Sequence, residues 1–212
     1  MTTIRDGYLR AAASAAALLR DSAVGAAWHQ PSALPEFSVR GLAGHLAAQV
    51  LLVPRALAQD VPDDEPISLL EHYARAKWVG ADLNDEINVR IRSAGEEHAA
   101  DGPAALVEQT EAAVRELRHR LPAEPADRVV HFPPGPWSLY FDDFLTTRML
   151  EIAVHSDDLA VSLGVETPTL PPGAIDPVLA LLSQLAVHRH GQPAVLRAFS
   201  RAERTPATIA AI

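Results

Sequence analysis

Between Phe141 and Leu163 the sequence sets four ionisable residues, Arg148, Glu151, His155 and Asp158, three or four positions apart. On a helix turning about 100° per residue they fall, with Ser162, along one edge of an apolar stripe. That stripe holds Phe141, Phe144, Leu145, Ile152, Leu159 and Leu163. An ordinary bundle helix puts its charges opposite the stripe. Charge beside a core costs several kcal/mol unless it is paired or bound to metal. Glu151 and His155 are one turn apart, about 6 Å along the axis, so a carboxylate and an imidazole can reach one cation. The plain alternative is a partly buried Glu–His pair with a rim of surface charge.

Two residues do not complete a metal site. Catalytic zinc takes three protein ligands and keeps an open position, and bundles draw ligands from facing helices. Eight further histidines are available. His98, His119, His188 and His190 lie among charges or near helix C-termini, where a charged ring suits the dipole, and read as solvated. His29 and His131 border Pro-containing loops. His72, beside Glu71, is ambiguous. His45 differs: it lies in a 14-residue uncharged stretch, Gly41 to Pro54, with Gln49 one turn on. The wheel puts it about 120° from the centre of its helix's stripe. From the residues alone it is a third ligand or a hydrogen-bonded, half-buried histidine.

The elements that must position these groups are helical. Apolar periodicity predicts helices over 4–27, 38–58, 68–84 or beyond, 103–121 and 139–163. Ser38 caps the second, and Pro54 is expected to kink it or end it early. Gly164 ends the fifth. Residues 122–138 form a connection with five prolines, with a short strand or extended run at 128–132. Thr167 to Pro172 reads as a linker. Pro177 and Pro193 are expected to start two further short helices, to about His190 and Arg201. The fold class is all-α, a helical bundle.

Composition narrows the function. The 212 residues contain no cysteine, so there is no disulfide, thiolate metal site or nucleophilic Cys. A net charge of −9 and 5% aromatic residues argue against nucleic acid as a partner. The 14-residue uncharged run carries His45 and Gln49, too short and polar to cross a membrane. Ala11 to Leu19 reads as part of an amphipathic helix rather than a signal peptide, so the expected location is cytoplasmic. The Ala-rich first helix leaves a homodimer open. One Lys against 17 Arg is the pattern of GC-rich coding.

Two segments carry a resemblance. Phe37-Ser38-Val39-Arg40-Gly41-Leu42-Ala43-Gly44-His45-Leu46 resembles the W-T-V-R-D-L-x-x-H-L segment of DinB-like proteins related to mycothiol-dependent maleylpyruvate isomerase. Thr147-Arg148-Met149-Leu150-Glu151-Ile152-Ala153-Val154-His155-Ser156-Asp157-Asp158-Leu159-Ala160 resembles that family's T-R-x-x-E-x-x-V-H-x-x-D-L-A segment. The tail from His190 to Arg204 is similar to the end of its short members. Phe37 stands for the usual Trp, and Gly41 for an acidic residue that would complete a capping box.

The resemblance implies a DinB-like four-helix bundle over residues 1–166, built from the helices at 4–27, 38–58, 103–121 and 139–163. Residues 167–212 are then a helical extension on the same domain, in place of the isomerase's further C-terminal domain. It implies a divalent metal, most often Zn2+ with Fe2+ or Ni2+ as alternatives, held by His45, Glu151 and His155. It implies mycothiol, a cytosolic thiol, as cosubstrate. Arg148 is expected to hold a substrate carboxylate or brace Glu151, and Asp158 to orient His155; both are supporting roles. The expected activity is attack of a thiol on a small electrophile, as an S-transferase or as a maleylpyruvate isomerase-like isomerase. The rivals are a metal-dependent hydrolase, a non-haem Fe(II) protein and a bundle that binds metal or thiol without turnover.

Overall fold

The computed structural model describes residues 3–132 and 135–212. Pro133 and Pro134, part of the expected 122–138 connection, lie outside the described residues. Thr3 caps α1 (Ile4–Leu19) through its hydroxyl, which accepts from the Asp6 N–H. The helix expected to run on to 27 is instead divided. Asp21 accepts from the Ala23 N–H at 2.8 Å and starts a separate short helix, α2 (Ser22–Ala26). An aspartate that caps a new helix competes with continuation of the old one.

Ser38 caps α3 (Val39–Leu57) by accepting from the Gly41 N–H at 2.9 Å. Where a capping-box carboxylate would accept from the Ser38 N–H, Glu96 of another helix accepts instead from the Ser38 hydroxyl and pairs with Arg40 at 3.1 Å. Pro54 does not end α3 early; it sits in the last turn, where one lost intrahelical bond is tolerated.

The single helix expected from residue 68 is two helices, α4 (Leu69–Arg75) and α5 (Glu86–His98). Gly80 at φ +75° turns the chain between them, and Asp85 ties the following turn by accepting from the Asp82 N–H. α5 lies against α3 at closely spaced glycines: a Cβ on Gly44 would stand 2.0 Å from the Gly95 carbonyl oxygen.

α6 (Pro103–Arg120) follows. The extended run at 128–132 is strand β1 (Val129–His131), and its antiparallel partner β2 (Ser138–Tyr140) was not anticipated. Val130 pairs with Leu139. This hairpin feeds straight into α7 (Phe141–Leu163), which ends at left-handed Gly164.

α1, α3, α6 and α7 form the four-helix bundle, with α7 and α6 each touching both α1 and α3. Leu42, Leu46, Leu117, Phe141, Phe144, Leu145 and Met149 fill it. Ala11, Ala12, Ala15 and Ala16 of α1 are buried in the same core. α8 (Pro172–His190) packs on α1 and α7, and α9 (Gln192–Ser200) packs on α8. At 19 residues α8 is longer than expected, because Pro172 rather than Pro177 begins it. Pro177 has no N–H for the Gly173 carbonyl one turn back. That carbonyl faces α1, where a Cβ on Gly7 would stand 2.1 Å from it. Among the described residues no helix is long and apolar enough to cross a membrane.

Candidate metal centre

α7 delivers the column as the helical spacing requires. The Glu151 carboxylate Oε2 lies 3.2 Å from His155 Nε2, and Asp158 Oδ2 lies 2.9 Å from His155 Nδ1. α3 supplies His45, whose Nε2 is 3.6 Å from the same Glu151 oxygen. The two imidazole rings meet edge to face, centroids 4.6 Å apart at 85°. One donor atom from each of His45, Glu151 and His155 lies within 4.8 Å of the others. The side chains keep 13–17% exposure, so the cluster is recessed but reachable.

The donor set fits a divalent cation. Ligands at about 2.0–2.2 Å from a tetrahedral zinc stand about 3.4 Å apart, and the 3.2 and 3.6 Å separations around Glu151 bracket that value. With Asp158 on Nδ1, the His155 nitrogen turned to the cluster is Nε2, the carboxylate–histidine arrangement that fixes a metal-binding ring.

The charges of the cluster shift one another. Burial opposes charge on His155, yet the hydrogen bonds and charges of Asp158 and Glu151 lift it to about 9. Burial likewise opposes charge on Glu151, but bonds to His155 and His45, with the nearby positive charges, hold its carboxyl well below the usual range. His45 is lowered, by burial first and by the charges of His155 and Arg148, against the pull of Glu151.

Arg148 is 7% exposed and does not touch Glu151. Its Nη1 donates to Gln49 Oε1 at 2.6 Å and its Nε to Thr147 Oγ1 at 3.1 Å. Its guanidinium lies over the Phe132 and Phe144 rings. Among the described residues it forms no ion pair. Direct bracing of Glu151 is therefore replaced by a bond to α3. Ser162, at the end of the column, accepts from the Ala33 N–H at 2.8 Å and anchors the loop before α3.

Two neighbours acquire their roles only in the fold. Gln49, noted only for its place after His45, is 2% exposed and links His45 to Arg148. His72 is 2% exposed, and its Nδ1 accepts from the Trp137 indole N–H at 3.1 Å. Burial, then the Arg148 charge, lowers it to about 4, against the pull of Glu151. No local signal marked it, because Trp137 and Phe132 reach it only through the hairpin. A half-open cleft of about 370 Å³, lined by Tyr73, Leu185, His188, Arg189 and Ile212 among others, contains none of the three cluster residues.

Residues 9–160 match the family described as the mycothiol maleylpyruvate isomerase N-terminal domain. No curated protein and no solved structure matches the chain. The family match covers well over half of the sequence, runs from within α1 almost to the end of α7, and includes His45, Glu151 and His155. The chain therefore belongs to the mycothiol maleylpyruvate isomerase N-terminal domain family.

Proposed function

We propose that the protein is a metal-dependent enzyme that takes mycothiol as cosubstrate and activates its thiol for attack on a small electrophile. Addition or displacement makes it an S-transferase; addition followed by elimination makes it an isomerase of the maleylpyruvate type. The observation that carries this reading is the meeting of His45, Glu151 and His155 from two helices within 4.8 Å, in a chain of a mycothiol-named family.

Two imidazoles and a carboxylate with room for a further ligand favour Zn2+, and Fe2+ and Ni2+ suit the same donors. A divalent ion bound there supplies the acidity that ionises a thiol near neutral pH and a Lewis acid for the electrophile. The chain's own groups do the rest. Asp158 fixes the His155 ring, and Glu151 brings the negative charge. The role we assign to Arg148, which has no carboxylate partner among the described residues, is to hold an anionic group of the substrate. Its guanidinium stands 5.7 and 5.4 Å from the Phe132 and Phe144 ring centroids.

The test pairs metal analysis of protein purified without added metal with a conjugation assay over a panel of electrophiles, with and without mycothiol. Stoichiometric metal and mycothiol-dependent turnover support the proposal. Turnover without thiol makes the protein a hydrolase, and metal without turnover makes it a binding protein. Neither outcome is compatible with the proposed activity.

A further inference from the structure

Three neighbouring side chains carry more hydrogen-bond donors than the chain gives them acceptors. Arg148 is buried, and only two of its five N–H groups meet an acceptor among the described residues, on Gln49 and Thr147. His72 is the second. The Trp137 indole can only donate, so His72 Nδ1 holds the lone pair and the proton of the neutral ring sits on Nε2. That Nε2–H meets no acceptor among the described residues. Tyr73 is the third: it is 4% exposed, and its buried hydroxyl has no hydrogen-bond partner among the described residues. The three share one wall. The Tyr73 ring meets His72 edge to face at 4.9 Å, His72 meets Phe132 at 4.5 Å, and the Arg148 guanidinium lies over Phe132 at 5.7 Å. The charges of Arg148 and Glu151 act on both His72 and Tyr73. Tyr73 also lines the half-open cleft, which brings the protein surface to this wall. Buried polar groups of folded proteins are nearly all paired, so such a surplus of donors calls for a partner that accepts.

We infer that His72 and Tyr73 are specificity-determining residues: the His72 Nε2–H and the Tyr73 hydroxyl donate to an uncharged oxygen of a substrate whose carboxylate Arg148 holds. The substrate class is a small organic acid with a carbonyl oxygen a few bonds from its carboxylate. An amine in that place would set donor against donor. Both donors are neutral. Burial, then the Arg148 charge, keeps the His72 ring uncharged at neutral pH. Burial, then the Glu151 charge, keeps the Tyr73 phenol protonated, against the pull of Arg148. A neutral donor binds a carbonyl without adding a second positive charge near Arg148. Trp137 acts one step further out, by setting the His72 tautomer. The inference rests on the anion-holding role proposed for Arg148 and needs neither metal nor thiol.

Pentanoate and 4-oxopentanoate differ by one carbonyl and serve as probes. The full chain is titrated with each by NMR at neutral pH, wild type beside Tyr73→Phe, His72→Phe and the double variant. Wild type is expected to bind the oxo acid about 5–10-fold more tightly, the worth of one or two net hydrogen bonds. Each single variant is expected to lose part of that preference and the double variant all of it, while pentanoate binds all four proteins alike. Tyr73→Phe deletes an oxygen that has no partner among the described residues, so its thermal midpoint is expected not to fall. Nitrogen-15 NMR is expected to find the His72 proton on Nε2. Equal binding of the two probes by wild type, or a preference that survives the double variant, overturns the inference and leaves Arg148 its role. An unchanged preference in Tyr73→Phe removes Tyr73, and a proton on His72 Nδ1 removes His72. Binding of neither probe by wild type overturns the inference and the role of Arg148 together. Metal content and thiol-dependent turnover are measured separately, so failure of the proposed activity is distinguished from failure of these two residues.

Discussion

His45 Nε2 and Glu151 Oε2 stand 3.6 Å apart, although one lies on α3 and the other on α7, with about half the chain between them. Helical periodicity does not set this contact, unlike that between Glu151 and His155. It depends on how two helices of the bundle face each other, and it turns a local pair into a three-donor cluster.

Replacing His45, Glu151 or His155 by Ala one at a time is expected to abolish stoichiometric metal in each variant while the helical fold is kept. Elemental analysis and circular dichroism on the same samples check this. Full metal retention by His45→Ala would return that residue to a structural role.

Asp158→Asn removes the charge that helps lift His155 and exchanges a pure acceptor for an amide. Zinc affinity is expected to fall about 10–100-fold with the three donors intact. In metal-free protein the His155 titration, followed by proton NMR, is expected to move down from about 9.

Because His155 is lifted to about 9, its ring carries a proton at pH 7.5 before metal arrives. A ligating imidazole must give that proton up. Zinc uptake is therefore expected to release about one proton at this pH and to weaken as the pH falls. Calorimetry in buffers of different ionisation enthalpy measures the count, and a value near zero contradicts the expectation.

His72 titrates near 4 in the fold against 6.5 when unperturbed. A depressed value means the neutral ring contributes stability above pH 6.5, and this contribution is lost as the pH falls towards 4. The difference corresponds to at most about 3 kcal/mol. His45 is lowered too and acts in the same direction, so the comparison must be between wild type and His72→Phe. Urea unfolding from pH 7 to pH 4 is expected to show a smaller loss of stability in the variant.

The contact of α3 with α5 leaves no room for a methyl group. Gly44→Ala puts a Cβ 2.0 Å from the Gly95 carbonyl oxygen, a backbone atom that cannot rotate away. The helices must separate, at a cost of about 1–3 kcal/mol. Thermal unfolding measures it, and weaker zinc binding should accompany it because His45 follows Gly44 directly.

The column of Arg148, Glu151, His155 and Asp158 was legible because every separation in it is a helical repeat, so local geometry alone aligns the side chains. The bundle helices were legible for the same reason: their apolar residues recur at the period of the helix. Resemblance, rather than spacing, pointed to His45. The sequence did not reveal the break at Asp21, the division of α4 from α5, or strand β2, because capping and turn geometry overrode a continuous apolar pattern. Nor did it reveal the bond of Glu96 to the Ser38 hydroxyl, the bond of Arg148 to Gln49, or the placing of His72 under Trp137. Each joins residues on different elements, and sequence periodicity carries no information on which faces meet. What one turn of helix can align was set by the sequence alone. Which side chains across the bundle share a proton or a donor was decided only by the packing of its helices.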